Sequence, residues 1–472
     1  MDELRNPAAD VVATHPCPGV AWGLVRDGVL VEHGGEGVID VAGPGSEPGS
    51  GPETPNCDTV YRIASMTKSF TCAAVLSLRD EGVLDLDRPV ADALPSLGAL
   101  NGPAGSPRIT LRHLMSMSAG MATDDPWADR HLDIDAAGLD AVLASGVGFA
   151  ARTGDAFEYS NLGFGVIGRV VAEITGTRVR EHVDERLLGP LGMNSTTWVE
   201  PVGRRWARPH RVRDGVLVDD GMEPLGDGEI APMGGLWTTV SDLARWVAWL
   251  DAANLAEPPS HDADRWLAAS SRREMQRVQN YSSWSTVAGR RAPAGYGFGL
   301  RQFDDPSIGM IVGHSGGLPG YGSNMRWVAG RGVGVIALSN VTYAPMAELT
   351  MRMLVGLHEA DLIPRAAPVE APLVVERATR LAALLSDWDD RTAADLFADN
   401  VAPDDPLDRR AAAAAALVAA HGRLEVVRVV PSTAMAGTLV VRGSTSGAEL
   451  RITMSLAPTM LVQTYELPGP VA

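Results

Sequence analysis

The chain has 472 residues, 45% of them hydrophobic, and a formal net charge of −18. That length buries a large core and leaves room for two or three domains. The acidic balance argues against nucleic acid or an anionic membrane as a partner, because both call for a positive patch.

Residues 1–7 lack a basic region and a following apolar stretch, and no later segment supplies about 18 uninterrupted apolar residues. Both features lead to the expectation of a cytoplasmic protein. Residues 20–25 and 29–31, joined by Asp27-Gly28, read as a hairpin, and residues 37–41 as a third strand. The Gly/Pro/Ser-rich stretch 43–55 reads as a loop near the entrance of a site.

Ser65-Met66-Thr67-Lys68 opens a helix whose following run, residues 70–78, is apolar almost all round and therefore belongs inside the protein. Serine needs an adjacent base to become a nucleophile, and a spacing of three puts Lys68 on the same helix face, one turn away. A lysine held in such a place loses solvation, which lowers its pKa toward the range of a base. A single Ser-x-x-Lys is a weak signal, since a solvated helix start explains most copies. The three cysteines, Cys17, Cys57 and Cys72, give no disulfide framework. Cys72, one turn beyond Lys68, reads as a packed small hydrophobe.

Residues 80–250 read mostly as helices and loops, with an all-helical lobe. Tyr159-Ser160-Asn161 follows the turn chemistry of Thr153-Gly154-Asp155, which places the tyrosine at a loop exit ahead of a helix. Residues 163–168 fit the dinucleotide fingerprint Gly-x-Gly-x-x-Gly but lack the buried strand it requires. Close helix packing is the better account. His113 reads as structural, His261 as solvent-facing, and the ten histidines show no metal spacing, so no metal or cofactor is expected. Trp246 and Trp249 fall at helical spacing with Leu243 and Leu250 and read as core, whereas Trp127 and Trp284 fall in expected loops as candidate pocket residues.

Residues 296–300, 308–312 and a hairpin over 324–339 complete an expected antiparallel sheet. Just before that hairpin stands His314-Ser315-Gly316-Gly317. Together with Gly313 it fits the Gly-x-Ser-x-Gly elbow, but the elbow needs a helix directly after its serine, and Gly316-Gly317-Leu318-Pro319-Gly320 cannot form one. The character changes near residue 365. Helices over 373–388, 392–397 and 407–420 are followed by strands over 424–430, 439–441, 450–456 and 460–467. The alternation Leu450, Ile452, Met454, Leu456 marks a sheet buried on one face. Residues 1–366 are thus expected to form one domain, and 367–472 a small α+β accessory domain without a catalytic set.

Three motifs in this order, Ser65-x-x-Lys68, Tyr159-x-Asn161 and His314-Ser315-Gly316, resemble the penicillin-recognising serine hydrolases. That group contains penicillin-binding proteins, serine β-lactamases, D-aminopeptidases and β-lactamase-like esterases. The Tyr-x-Asn motif is similar to the branch of class C β-lactamases and D-alanyl-D-alanine carboxypeptidases. The likeness spans roughly residues 15–360 and includes Tyr61-Arg62-Ile63-Ala64, the phrase over 82–87, and Gly234-Gly235-Leu236-Trp237-Thr238-Thr239. It implies an α+β, β-lactamase-like fold, an antiparallel sheet flanked by helices plus an all-helical lobe, with the site in the cleft between sheet and lobe.

The resemblance also implies roles. Ser65 attacks a carbonyl carbon; Lys68 and Tyr159 share the base role, and Tyr159 passes the proton to the leaving group. Asn161 holds the Lys68 ammonium, and the oxyanion sits between the backbone N–H groups of Ser65, at a helix start, and Gly317, on an edge strand. Ser315 and His314 complete the substrate side. Two departures stand out. Ser116-Met117-Ser118-Ala119-Gly120 replaces a common Thr-His-Thr-Ser-Gly phrase, with no chemistry attached. His314 replaces the lysine that helps bind a substrate carboxylate, and a histidine near its usual pKa is mostly neutral at neutral pH. The expected activity is hydrolysis of an ester or amide through a Ser65 acyl-enzyme, on a small-molecule ester, amide or peptide. Short-chain esters are expected to outrun β-lactams, and slow β-lactam turnover to rise toward pH 6 as His314 protonates. A D-amino-acid peptidase or amidase, or an acyl-transferring peptide cyclase, is the alternative. A non-catalytic scaffold has no need of all five motif side chains.

Overall fold

A computed structural model describes residues 2–41, 53–94, 97, 100–201, 204–219, 226–255, 259–365 and 369–467. The chain divides into two compact units, Met1–Arg365 and Ala366–Ala472.

The first unit is built on an eight-stranded antiparallel sheet. Its strands run in the order Val29–Gly37, Gly19–Arg26, Val333–Ser339, Tyr321–Val328, Gly309–Leu318, Arg301–Asp305, Arg290–Tyr296 and Asn280–Val287. The sheet's first strand in sequence therefore lies against its last, with Val20 opposite Ser339 and Arg26 opposite Val333. Strands Tyr321–Val328 and Val333–Ser339 are buried at every position, as expected of central strands covered on both faces. Helices Asp2–Thr14 and Met346–Glu359 cover one face, where Leu4, Val11, Leu349 and Leu354 meet Val20, Leu24 and Val335. Helix Val240–Ala252 covers the other through Leu243, Trp246 and Leu250, and Thr239 caps it by accepting the Asp242 N–H at 3.1 Å.

The helical lobe surrounds helix Thr67–Asp80, which is buried from Thr67 to Leu78. Its polar residues stay inside because each hydroxyl finds a backbone partner: Ser69 donates to the Met66 carbonyl at 2.8 Å, Thr71 to Pro232 at 2.7 Å and Ser77 to Ala74 at 2.7 Å, while Thr67 accepts the Leu236 N–H at 3.2 Å. Helix Leu162–Thr175 contains the Gly163–Gly168 repeat. A Cβ on Gly168 would stand 3.0 Å from the Pro232 ring, so the glycines serve close packing.

Several expectations need correction. No third strand forms over 37–41, because the second strand runs to Gly37, whose φ of 76° turns the chain away. The expected loop at 43–55 falls, up to residue 52, outside the described residues. Residues 297–300 are a turn rather than a strand, closed by the Gly297 N–H on the Leu300 carbonyl at 2.8 Å. Strands Asn280–Val287 and Arg290–Tyr296 were not legible: the first is rich in Ser and Thr and largely exposed, so backbone pairing rather than an apolar pattern defines it. Trp284 lies on that strand, exposed under the Arg291 guanidinium at 5.4 Å. Trp127 lies in the one-turn helix Asp125–Ala128 and stacks on His131 at 4.5 Å.

The second unit has helices Pro372–Ser386, Asp390–Leu396, Val401–Asp404 and Leu407–His421. A four-stranded antiparallel sheet follows in chain order: Leu424–Thr433, Ala436–Gly443, Glu449–Leu456 and Val462–Glu466. Ile452, Met454 and Leu456 turn inward onto Leu381 and Leu385 in a core of its own.

Candidate active site

The sequence 61–66 presents Ser65 on a constrained turn. A short strand, Tyr61–Arg62, leads into the 3₁₀ turn Ala64–Met66, and Ala64 sits at φ 50°. A non-glycine residue in that left-handed region costs on the order of 1 kcal/mol or more, strain that recurs at functional sites. Of residues 61–78, Ser65 alone is not buried. Strands Gly309–Leu318 and Tyr321–Val328 both pack onto this turn: the Ser323 hydroxyl of the second donates to the Ile63 carbonyl at 2.8 Å, and a Cβ on Gly316 of the first would stand 2.1 Å from that oxygen. Only glycine lets the backbones approach so closely. The ladder with Arg301–Asp305 ends at Gly313 opposite Arg301, so residues 314–318 have a free edge facing the cleft although their strand lies inside the sheet. Gly317 is on that edge.

Lys68 is fully buried, and its Nζ stands 2.9 Å from Ser65 Oγ, 2.6 Å from Asn161 Oδ1 and 2.9 Å from the Met233 carbonyl. Loss of solvent pulls its pKa down to about 7, against the opposing charges of Asp125, Asp129 and Asp124. A neutral amine beside the serine is therefore accessible near neutral pH. Tyr159 is half-buried; Lys68 Nζ lies 5.0 Å from its ring centre. Burial raises the phenol's pKa, with Arg301 and a hydrogen bond to Ser65 opposing. Burial thus disfavours the charged form of both groups, the Tyr159 phenolate and the Lys68 ammonium.

Asn161 is held from below by acids. Asp124 takes the backbone N–H groups of Asn161 at 2.7 Å and Leu162 at 2.8 Å, and Asp125 Oδ1 takes Asn161 Nδ2 at 2.6 Å. His314 is 3% exposed, with Nδ1 at 2.5 Å from the Ser315 carbonyl and Nε2 at 3.0 Å from the Tyr296 hydroxyl. A carbonyl only accepts, so Nδ1 carries the proton and Nε2 accepts from Tyr296. Burial, with Arg301 and Lys68 nearby, pushes the imidazole well below its usual pKa. The expectation that His314 protonates toward pH 6 is corrected accordingly. Ser315 points away from the nucleophile role: its hydroxyl accepts from Asn324 Nδ2 at 2.8 Å, and strand, then turn, follow it instead of a helix.

Sequence reasoning missed Arg301. Its guanidinium carbon lies 5.3 Å from the Tyr159 ring centre, 5.5 Å from Phe157 and 5.6 Å from Tyr296. A lone arginine after a Gly-rich turn carries no spacing signal. Asp124, Asp125 and Asp129 were missed too, because Asp-Asp-Pro reads as an ordinary helix start. Across the cleft, the Tyr343 hydroxyl donates to Asp129 while its ring lies against Gly317. The remaining candidates are structural: His113 forms a capping box with Thr110, His261 caps the turn Asp262–Arg265, and Cys72 is buried.

An antiparallel sheet and a helical lobe that bring a serine, a buried lysine, a tyrosine and a free strand edge together define a serine acyl hydrolase. The Beta-lactamase family profile matches residues 4–359, and the chain belongs to that family. It is similar to "Penicillin-binding protein 4" of Amycolatopsis lactamdurans, 28% identical over 345 residues, which cover 69% of this chain and 81% of that protein. It is also similar to "Esterase EstB" of Burkholderia gladioli, 28% identical over 335 residues, covering 61% of this chain and 79% of that one. In fold it resembles the octameric penicillin-binding protein homologue from Pyrococcus abyssi, with a TM-score of 0.63 at 20% identity over 98% of this chain and 95% of that chain. Among the described residues no helix is long and apolar enough to cross a membrane.

Proposed function

We propose that the protein hydrolyses an ester through a covalent acyl group on Ser65. The observation that carries this is the 2.9 Å contact between Ser65 Oγ and a buried Lys68 amine whose pKa has fallen to about 7. In this reading Lys68 accepts the hydroxyl proton as Oγ bonds to the carbonyl carbon. The oxyanion rests on the backbone N–H groups of Ser65 and Gly317, and each such donor is worth about 2.7–4 kcal/mol in the transition state. Tyr159 hands its proton to the leaving atom as the carbonyl re-forms, and the Lys68 ammonium reprotonates it. Water then attacks the acyl group by the same steps in reverse. Arg301 supplies beside Tyr159 the permanent cation that His314 cannot, which suits a leaving group bearing a carboxylate.

That arginine also favours a second reading, an amidase or peptidase releasing an amino acid with a free carboxylate. Intact-mass analysis after a fluorophosphonate probe and after p-nitrophenyl butyrate tests the common core: one adduct at Ser65, absent in Ser65→Ala and retained in Ser315→Ala. No adduct on the wild-type protein would leave a scaffold that merely keeps the fold. Comparing matched ester and amide substrates then separates the two enzymatic readings.

A further inference from the structure

The sheet register sets two arginines on either side of one glycine. Gly313 pairs with Arg301 on one neighbouring strand and with Arg326 on the other. A Cβ on Gly313 would stand 2.2 Å from the Met325 carbonyl oxygen and 2.8 Å from the Arg326 Cβ, so the strands approach closely here and only glycine fits between the two arginines. A cavity of about 380 Å³ occupies this place, lined by both arginines together with His314, Ser283, Ser285 and Gln302. That volume suits a small organic group.

Arg326 is 8% exposed, yet the one hydrogen bond of its side chain among the described residues is from Nε to Asn324 Oδ1 at 3.1 Å. Its terminal nitrogens have no protein acceptor there. Glu348 is the acid that favours its charge, but Glu348 Oε2 accepts the Ala288 N–H at 2.7 Å and no ion pair joins it to Arg326. A buried guanidinium with donors to spare is costly unless an acceptor reaches it, and planar carboxylates match its fork. Gln302 lines the same cavity, and its Oε1 atom is buried with no partner among the described residues.

We propose that this cavity is a second anion subsite, in which Arg326 holds the carboxylate of an extended leaving group whose scissile bond lies at Ser65. The direction follows from Arg301, which lies at once on the cavity wall and against Tyr159, the group that protonates the leaving atom in the reading above. The inference rests on that reading for its orientation, while Arg326 and its cavity stand without it.

The test compares 3-(4-butyryloxyphenyl)propionate with its propionamide, which keeps the shape but loses the charge and exchanges one acceptor oxygen for an NH2 donor. Wild-type kcat/KM should favour the carboxylate at least tenfold, Arg326→Gln should remove most of that preference, and Arg326→Lys should restore part of it. An equal loss on both esters in Arg326→Gln would mean a structural role through Asn324 and overturn the subsite, as would an unchanged preference. Should the wild type release no phenol from either ester, the proposed hydrolysis fails, and binding decides the subsite. Titration of the product, 3-(4-hydroxyphenyl)propionate, into the Ser65→Ala protein should then show a Kd that Arg326→Gln weakens about tenfold. Equal binding with and without Arg326 would overturn the proposal.

Discussion

Asn161 donates from Nδ2 to Asp125 Oδ1 at 2.6 Å, and this single bond decides which way the amide faces. With its nitrogen on a carboxylate, the Asn161 oxygen must turn to Lys68, where it accepts at 2.6 Å. Asp125 therefore acts on the amine twice, through the orientation of Asn161 and as the foremost charge favouring the ammonium.

This relationship gives a pH prediction with a definite sign. Burial lowers the Lys68 pKa to about 7 and Asp125 opposes that fall. Asp125→Asn keeps an acceptor for Asn161 but deletes the charge, so the Lys68 pKa drops further and the amine stays neutral to lower pH. The acid limb of kcat/KM should move toward acid by about one unit. An unmoved limb, or one displaced toward alkali, would show that Lys68 is not the titrating base.

Lys68 and Tyr159 should behave as one unit. Lys68→Ala and Tyr159→Phe should each cost roughly three orders of magnitude in kcat, and the double variant little more than the worse single, because groups serving one proton path are not additive. Turnover of p-nitrophenyl butyrate by the four proteins gives the cycle. Losses that multiply would separate the two roles.

How far the sequence announced this site depends on the kind of signal each residue leaves. Ser65 and Lys68 are readable because a spacing of three at the entry to an apolar helix brings the two side chains together, although Ser65 itself sits on the 3₁₀ turn just before that helix, and Tyr159 and Asn161 because a turn and a helix bracket them. The hairpin Tyr321–Val328 and Val333–Ser339 is readable from its apolar runs. Strand Asn280–Val287 is not, since its exposed Ser and Thr carry no alternation and only pairing makes it a strand. Arg301, Arg326 and the three aspartates acquire their meaning from register and through-space charge, which a linear pattern does not encode.

Gly316 tests the close approach of strand and turn. In Gly316→Ala the added Cβ would lie 2.1 Å from the Ile63 carbonyl, a backbone atom that cannot swing aside. The strand must back away from the Ser65 turn, which carries the oxyanion donors apart. kcat should fall at least tenfold, by analogy with the loss of one oxyanion donor, while the protein still folds. Steady-state kinetics beside a thermal melt decides it: activity lost only in proportion to unfolded protein would mean that the glycine serves stability alone.

The last prediction assigns the charge preference near the scissile bond to Arg301 rather than His314. A charge-assisted hydrogen bond is worth about 1.5–3 kcal/mol, so Arg301→Gln should lower the preference for 3-(butyryloxy)benzoate over phenyl butyrate by roughly ten- to a hundredfold. The pH dependence separates the two candidates. A guanidinium keeps its charge between pH 6 and 8, whereas an imidazole responsible for the preference would lose it as pH rises. His314 is buried, donates Nδ1–H to the Ser315 carbonyl, and is held well below its usual pKa, so it stays neutral across that range. The ratio of kcat/KM for the two esters should therefore be flat from pH 6 to 8 in the wild type, with the Lys68 limb cancelling because both substrates share it. A ratio that climbs toward pH 6 and survives Arg301→Gln would return the role to His314.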